Sequence, residues 1–217
     1  MILDALQNPR ITLNDAVIAA IIMIFALILH NVVQAYVAYR LGDSSARYAG
    51  FLNFEPQQHL EPWGLGLLLL LGFGWPKQIP TSNRNYKNRG KQELWVWLAG
   101  PLTYLLIAFV AILLATLASL LQQGGAVARS FVFAASVATL HAVINLFPVY
   151  PLDGARAALT TGNRGLRRFV EMVASYGFLG FFIFFLLMSY LGITGAIQSS
   201  FLRFFSNVAD AIVRVFL

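Results

Sequence analysis

Three polar side chains stand at helical spacing inside a long apolar stretch, and their types resemble an incomplete metal site. Residues 27–43 read LILHNVVQAYVAYRLGD, with His30, Asn31 and Gln34 as the polar members. His30 and Gln34 are four positions apart, so on a helix they share one face. Polar groups inside a membrane are costly, so each is expected to find a partner.

The composition predicts an integral membrane protein. Of the 217 residues, 59% are hydrophobic and 11% are charged, whereas soluble domains carry about 45–50% apolar and about 25% charged residues. Residues 16–39 contain no Asp, Glu, Lys or Arg, and about 20 apolar residues suffice to span a bilayer as a helix. The absence of cysteine excludes disulfides and thiolate metal sites.

The expected fold class is an all-α polytopic membrane protein with about four transmembrane helices. Apolar runs predict spans at about 13–40, 92–122, 129–147 and 169–193. The short apolar segment 62–75 suits a re-entrant element, and residues 42–61 read as a small hairpin. The tail, 196–217, is either an amphipathic interfacial helix, which we favour, or a short span. No internal repeat is visible, so residues 1–217 are expected to form one domain, with a core at about 13–168 and C-terminal helices at 169–217.

The positive charges predict the orientation in the membrane. Nine Lys or Arg residues lie in the two basic loops, 75–91 and 152–168. The two helices between these loops form one out-and-back excursion, so both loops lie on one side, and cytoplasmic loops are the ones rich in Lys and Arg. The net charge of +6 therefore reflects topology, and no nucleic-acid partner is expected.

Four blocks in order resemble the signature of the site-2 protease family of intramembrane zinc metalloproteases, in particular its short bacterial branch without a PDZ domain. The blocks are LHNVVQAYVAYRLGD, GFGWPKQIP, AGPLTYLL and NLFPVYPLDGAR. They cover the chain from about residue 27 to 168. The resemblance implies residence in the bacterial inner membrane.

The resemblance also implies a chemistry that this chain has lost in part. In the family, H-E-x-x-H supplies two zinc ligands and a general base, and an Asp from the LDG block is the third ligand. His30 and Asp153 match the first and third ligands. Asn31 stands at the base and Gln34 at the second histidine, and an amide cannot act as a base near neutral pH. Two further departures are Tyr104, where Asn is usual, and Tyr150, where Pro is usual.

The remaining polar residues have two readings each. His30 is a hydrogen-bonded packing residue or a metal ligand, and Asp153 caps a turn or binds metal; we favour the first reading of both. His141, on the same helix face as Asn145, packs between helices or replaces the lost ligand. Asn145 matches a family residue that aligns substrate, or it bonds between helices. His59 is expected to hold the hairpin to the re-entrant segment.

The sequence therefore favours a catalytically inactive homologue, with no catalytic residue, no resident cofactor, and His30 and Asp153 as remnants of a metal site. Its expected partners are membrane lipids and another integral membrane protein, contacted through a cleft near Asn145, Tyr104 and Tyr150 or through the Phe-rich run 178–187. The alternative is an active zinc protease with rearranged ligands, in which His141 or His59 and Glu55 or Glu61 replace the missing groups. A transporter is less consistent with the sequence, which lacks paired charges and inverted repeats.

Overall fold

The computed structural model describes residues 1–121 and 125–216, and within them it contains helices and turns but no β-strand. Three helices are long and apolar enough to cross a membrane, and a bent pair near the C-terminus would make a fourth crossing. This confirms the all-α polytopic fold. The helices are α1 (Ile2–Gln7), α2 (Leu13–Arg40), α3 (Ser45–Tyr48), α4 (Pro56–His59), α5 (Pro62–Leu71), α6 (Arg89–Leu120), α7 (Gly125–Asn145), α8 (Asp153–Thr160), α9 (Arg164–Ser175), α10 (Gly177–Tyr190) and α11 (Ile193–Phe216).

The first long helix begins at a capping box that also ties it to α7. The Asp15 amide donates to Thr12 Oγ1, and the Asp15 carboxylate accepts from the Thr12 amide at 2.8 Å. The same carboxylate accepts from Ser130 Oγ at 2.5 Å and from Arg129 Nε at 3.0 Å. Asp15 is buried, so these donors from α7 compensate its charge.

The core forms where α2, α6 and α7 pack against one another. Much of its surface is alanine, including the fully buried Ala19, Ala26, Ala108 and Ala138. Small side chains let helix backbones approach closely, which is how membrane helices gain packing energy. Helix α11 packs on α6 and α7, and the ring centroids of Phe205 and Phe109 are 5.7 Å apart.

Residues 42–61 do not form the predicted hairpin. They fold into the short helices α3 and α4 with a turn between them, and Leu60 makes one isolated bridge to Pro76. Side chains compete for the backbone here: Asp43 accepts from the Ser45 amide and Asn53 from the Glu55 amide. Such local bonds favour turns over a β-ladder.

The apolar segment 62–75 turns back on itself, as a re-entrant element would. Helix α5 ends at Leu71 and is capped by Gly72, whose φ of 78° is readily adopted only by glycine. The returning chain passes so close that a Cβ on Gly74 would lie 2.0 Å from the Gly64 carbonyl oxygen.

The span predicted at 169–193 is bent in the structure and is made of two helices. Helices α9 and α10 meet at an angle of 113°. The break falls at Gly177, whose φ is 58°, and it separates an arginine-bearing helix from an apolar one. The tail beyond is a single helix, α11, and its apolar face lies against the bundle; whether it lies in the membrane interface stays a prediction.

Candidate functional site

The polar residues of α2 meet the start of α8 in a buried pocket. His30 Nε2 lies 3.0 Å from Asp153 Oδ2, and these two side chains are 2% and 12% exposed. Asn31 and Gln34 line the same pocket, together with Asn145 at the end of α7. The structure thus brings together the residues that the family pattern places at the metal site.

Asn31 fastens a loop across this pocket. Its amide Nδ2 donates to the Lys77 carbonyl oxygen at 2.7 Å. The Lys77 amide in turn donates to the His59 carbonyl at 2.7 Å. Asn31 is 1% exposed, so a donor at this position satisfies a carbonyl that has been removed from water.

Residues 75–80, which we name the covering segment, form one wall of the pocket. Gln78 Nε2 donates to the Pro151 carbonyl at 3.0 Å, and Arg156 donates to Gln78 Oε1. The guanidinium of Arg156 also lies over the Trp97 ring, 4.7 Å from its centroid. These bonds leave a cavity of about 20 Å³ beside His30, which holds about one water molecule and is far too small for a peptide.

The opposite wall is the backbone of α6. A Cβ on Gly100 would lie 2.2 Å from His30 Cε1, so only glycine lets α6 approach α2 this closely. The Tyr104 ring packs on His30 with 4.7 Å between centroids. The alanine–glycine–proline block therefore serves to bring α6 against the pocket.

The residues present do not fit a catalytic zinc ion. Such sites use three protein ligands chosen from His, Cys and carboxylates, and the pocket offers one imidazole and one carboxylate. Among the described residues no three His, Asp or Glu side chains could share a metal ion. The buried atoms there without a hydrogen-bond partner include the donors Gln34 Nε2 and Trp97 Nε1, which offer no lone pair to a cation, beside Asp153 Oδ2 and His30 Nδ1. Gln34 Nε2 makes no hydrogen bond to His30 or Asp153, so the partner expected for this polar group is not found at that atom.

His141 is held by both of its ring nitrogens. Nδ1 lies 2.8 Å from the Val137 carbonyl, and Nε2 accepts from the Gly74 amide at 3.2 Å. One neutral tautomer satisfies both contacts, as a helix-packing histidine would. Asn145 Nδ2 donates to the His141 carbonyl at 2.9 Å.

Two other predicted residues lie away from the pocket. Tyr150, which the sequence placed near the cleft, lines a separate cavity with Glu93 and Arg156 and is not among the residues that line the pocket beside His30; the chain turns between Tyr150 and Asp153. His59 lies beneath the covering segment, where its Nε2 contacts the Asn53 carbonyl at 2.8 Å. Burial, together with the Lys77 charge, lowers the pKa of His59 despite that contact.

A buried carboxylate anchors the first basic loop just beyond α2. Asp43 accepts from Ser45 Oγ at 2.6 Å, the Ser82 amide at 2.6 Å, Asn85 Nδ2 at 3.0 Å and the Tyr86 hydroxyl at 3.2 Å. Burial alone would raise the pKa of Asp43, but these hydrogen bonds outweigh it and the pKa is lowered. Burial, and then the Asp43 charge, raises the pKa of Tyr86.

The class of protein follows from three features of the structure. They are the apolar helical spans, the AGP block packed against the pocket, and Asp153 of PLDG beside His30 of α2, and together they are the architecture of an intramembrane metalloprotease. Relatives support this. The chain is 32% identical over 198 residues, 87% of its length and 90% of the relative's, to the "Putative zinc metalloprotease YwhC" of Bacillus subtilis. It is 30% identical to two proteins named "Putative zinc metalloprotease Rip2", over 162 residues for that of Mycolicibacterium smegmatis and 142 for that of Mycobacterium tuberculosis.

The chain therefore belongs to the site-2 protease family. The aligned part covers 72% of this chain and 61% of the first Rip2, and 61% of this chain and 52% of the second. Neither a protein-family model nor a solved structure matches the chain.

Sequence reasoning missed the groups that close the pocket. The Lys77 carbonyl, Gly100 and the Gln78–Arg156 pair carry no signal as candidate ligands or bases. The one available signal was position: Lys77 and Gln78 lie in one family block and Gly100 in another.

Proposed function

We propose that this protein is a catalytically inactive member of its family that works by binding another integral membrane protein. The observation that supports this most directly is the bond from Asn31 to the Lys77 carbonyl. Peptide hydrolysis at a zinc site needs a group that accepts a proton from the attacking water. The Asn31 amide does not accept that proton, and its Nδ2 already donates a hydrogen bond to the Lys77 carbonyl oxygen.

The shape of the pocket supports the same proposal. The covering segment and α6 leave no room for an extended peptide beside His30, and only one imidazole and one carboxylate are present. The alternative, an active enzyme with His141 as a substitute ligand, would have to break both of its ring contacts. Binding of zinc or of a peptide would thus each require the side chains and backbone around the pocket to rearrange.

The partner surface that we propose is the exposed side of α10. Phe178, Leu179, Phe182 and Leu186 are 42–59% exposed. Phe181 is buried instead, and its ring stacks on Phe73 at 6.0 Å between centroids, so the contact involves part of the run 178–187 rather than all of it. Exposed rings offer large areas for packing between membrane helices.

The setting that we propose is the inner membrane of a bacterium, with the two basic loops in the cytoplasm. The bacterial relatives and the positive-inside rule support it.

Elemental analysis of the purified protein tests the inactive assignment. We expect far less than the roughly one zinc per chain of a catalytic site, and no cleavage of a transmembrane model substrate with zinc added. Stoichiometric zinc together with cleavage would refute the proposal.

Crosslinking in native membranes tests the partner surface. We expect Phe178→Leu with Phe182→Leu to reduce crosslinked membrane protein severalfold, because leucine keeps hydrophobicity but removes ring shape. Phe204→Leu, on α11 and 61% exposed, is the matched control and should leave the yield unchanged. Equal yields from all variants would exclude this face.

A further inference from the structure

A second cavity, of about 260 Å³, opens between the start of α6 and helices α8 and α9. Its ionisable lining comprises Glu93, Tyr150, Arg156 and Arg167. Two guanidinium groups face one carboxylate, so the lining carries a net positive charge. The polar pocket beside His30 is a different cavity with a different lining, Arg156 reaching towards both through Gln78 and Trp97.

The two arginines differ in how they are held. Arg156 donates to Gln78 Oε1 and lies over the Trp97 ring, so its position is fixed. The guanidinium of Arg167 makes no hydrogen bond or ion pair within residues 1–121 and 125–216, and the phenol of Tyr150 donates to nothing in that part of the chain. The cavity therefore combines the fixed guanidinium of Arg156 with the guanidinium of Arg167 and the hydroxyl of Tyr150, whose hydrogens are available to a ligand.

Helix α9 indicates where this cavity lies relative to the membrane. Its buried residues are Val170 and Val173, whereas Arg164, Arg167 and Arg168 are exposed. It meets the apolar α10 at 113°, so it runs crosswise to that helix. An amphipathic helix with basic residues on its polar face is typical of one that lies in the interface, at the level of lipid headgroups.

We propose that this cavity binds the phosphate of an anionic phospholipid headgroup. Arginine suits phosphate because its planar fork donates two parallel hydrogen bonds, and Arg156, Arg167 and the Tyr150 hydroxyl supply the donors. Free phosphate shares this chemistry, but the crosswise α9 places the cavity where headgroups are concentrated. The site is independent of the proposed loss of protease activity, since none of these residues lies at the base or ligand positions.

The test is native mass spectrometry of the full chain in detergent with dioctanoyl phosphatidylglycerol as the probe. We expect one saturable site, and Arg167→Gln should weaken it about tenfold, as for the loss of one charge-assisted hydrogen bond. Arg168→Gln removes the same charge from the next position, which does not line the cavity, and should change the affinity less than about twofold. Tyr150→Phe, which keeps the ring, should give a smaller loss than Arg167→Gln.

Three results would overturn the proposal. Equal losses from Arg167→Gln and Arg168→Gln would show diffuse surface charge rather than a site. Displacement of the lipid by inorganic phosphate at equal concentration would assign the cavity to the free anion. No saturable binding by the wild type would show that the cavity takes no headgroup.

Discussion

Replacing Gly100 with alanine tests the close approach of α6 to the polar pocket. The added Cβ would lie 2.2 Å from His30 Cε1 and 2.6 Å from Gln34 Nε2. His30 has little room to retreat, because Asp153 lies 3.0 Å from its Nε2 and the Tyr104 ring packs on it. Either the two side chains shift or the helices separate.

The expected loss of stability follows from two opposing terms. Overpacking a well-packed interior costs about 1–3 kcal/mol, and contacts this short place the variant at the upper end. Alanine recovers up to about 1 kcal/mol of helix propensity. The net loss is then about 2 kcal/mol in the free energy of unfolding, or a fall of about 4–8 °C in Tm for a chain of this size.

The assay is thermal unfolding of the purified protein in mild detergent, with Gly66→Ala as the matched control. Gly66 lies inside α5, and a Cβ there meets nothing within 4 Å, so that variant should be as stable as the wild type or slightly more stable. If Gly100→Ala unfolds at the wild-type temperature, α6 does not close the pocket, and the argument that a peptide cannot enter loses one of its walls.

Three further predictions concern the loops and the lost motif. Asp43→Asn should lower stability at neutral pH by about 2–4 kcal/mol. Because the pKa of Asp43 is lowered on folding, the stability that its charge contributes is present above about pH 4 and is lost as the pH falls through the lower folded-state pKa. The Tm of the variant should therefore lack that part of the wild type's sensitivity to acid. Cysteines at Ser82 and Thr161 should both be labelled from the cytoplasmic side of sealed vesicles, and labelling from opposite sides would overturn the orientation. Asn31→Glu with Gln34→His should restore zinc binding, measured by elemental analysis, while cleavage of a model transmembrane substrate stays weak because the covering segment remains; cleavage at the rate of an active family member would show the cleft to be open.

Much of the helical framework was predictable because its signals are local. Helix α2 has the predicted bounds, 13–40, since a capping residue precedes it, charge is absent from its middle, Arg40 is its last residue and Gly42 follows. The membrane class follows from composition alone. The meeting of His30 with Asp153 was anticipated from order and residue type within two blocks of the family pattern.

Other features depend on contacts that residue types do not report. The partner of Asn31 is a backbone carbonyl 46 positions away, and any residue at position 77 supplies the same atom. The bend at Gly177 depends on one backbone angle inside a largely apolar run, and hydrophobicity, which predicted the span, does not report such an angle. Tyr150 could be read as part of the cleft only until the path of the chain between positions 150 and 153 was known.

The two buried carboxylates that flank α2 have a mechanical consequence. Asp15 bonds the beginning of this helix to α7, and Asp43 bonds the turn after its end to the first basic loop. Sliding or rotation of the helix would strand a charge at one end or the other, and unpaired buried charges are costly. Helix α2 is therefore held in one position along and around its own axis. Helices α9 and α10 carry no buried carboxylate anchor of this kind among the described residues, so they lack this restraint.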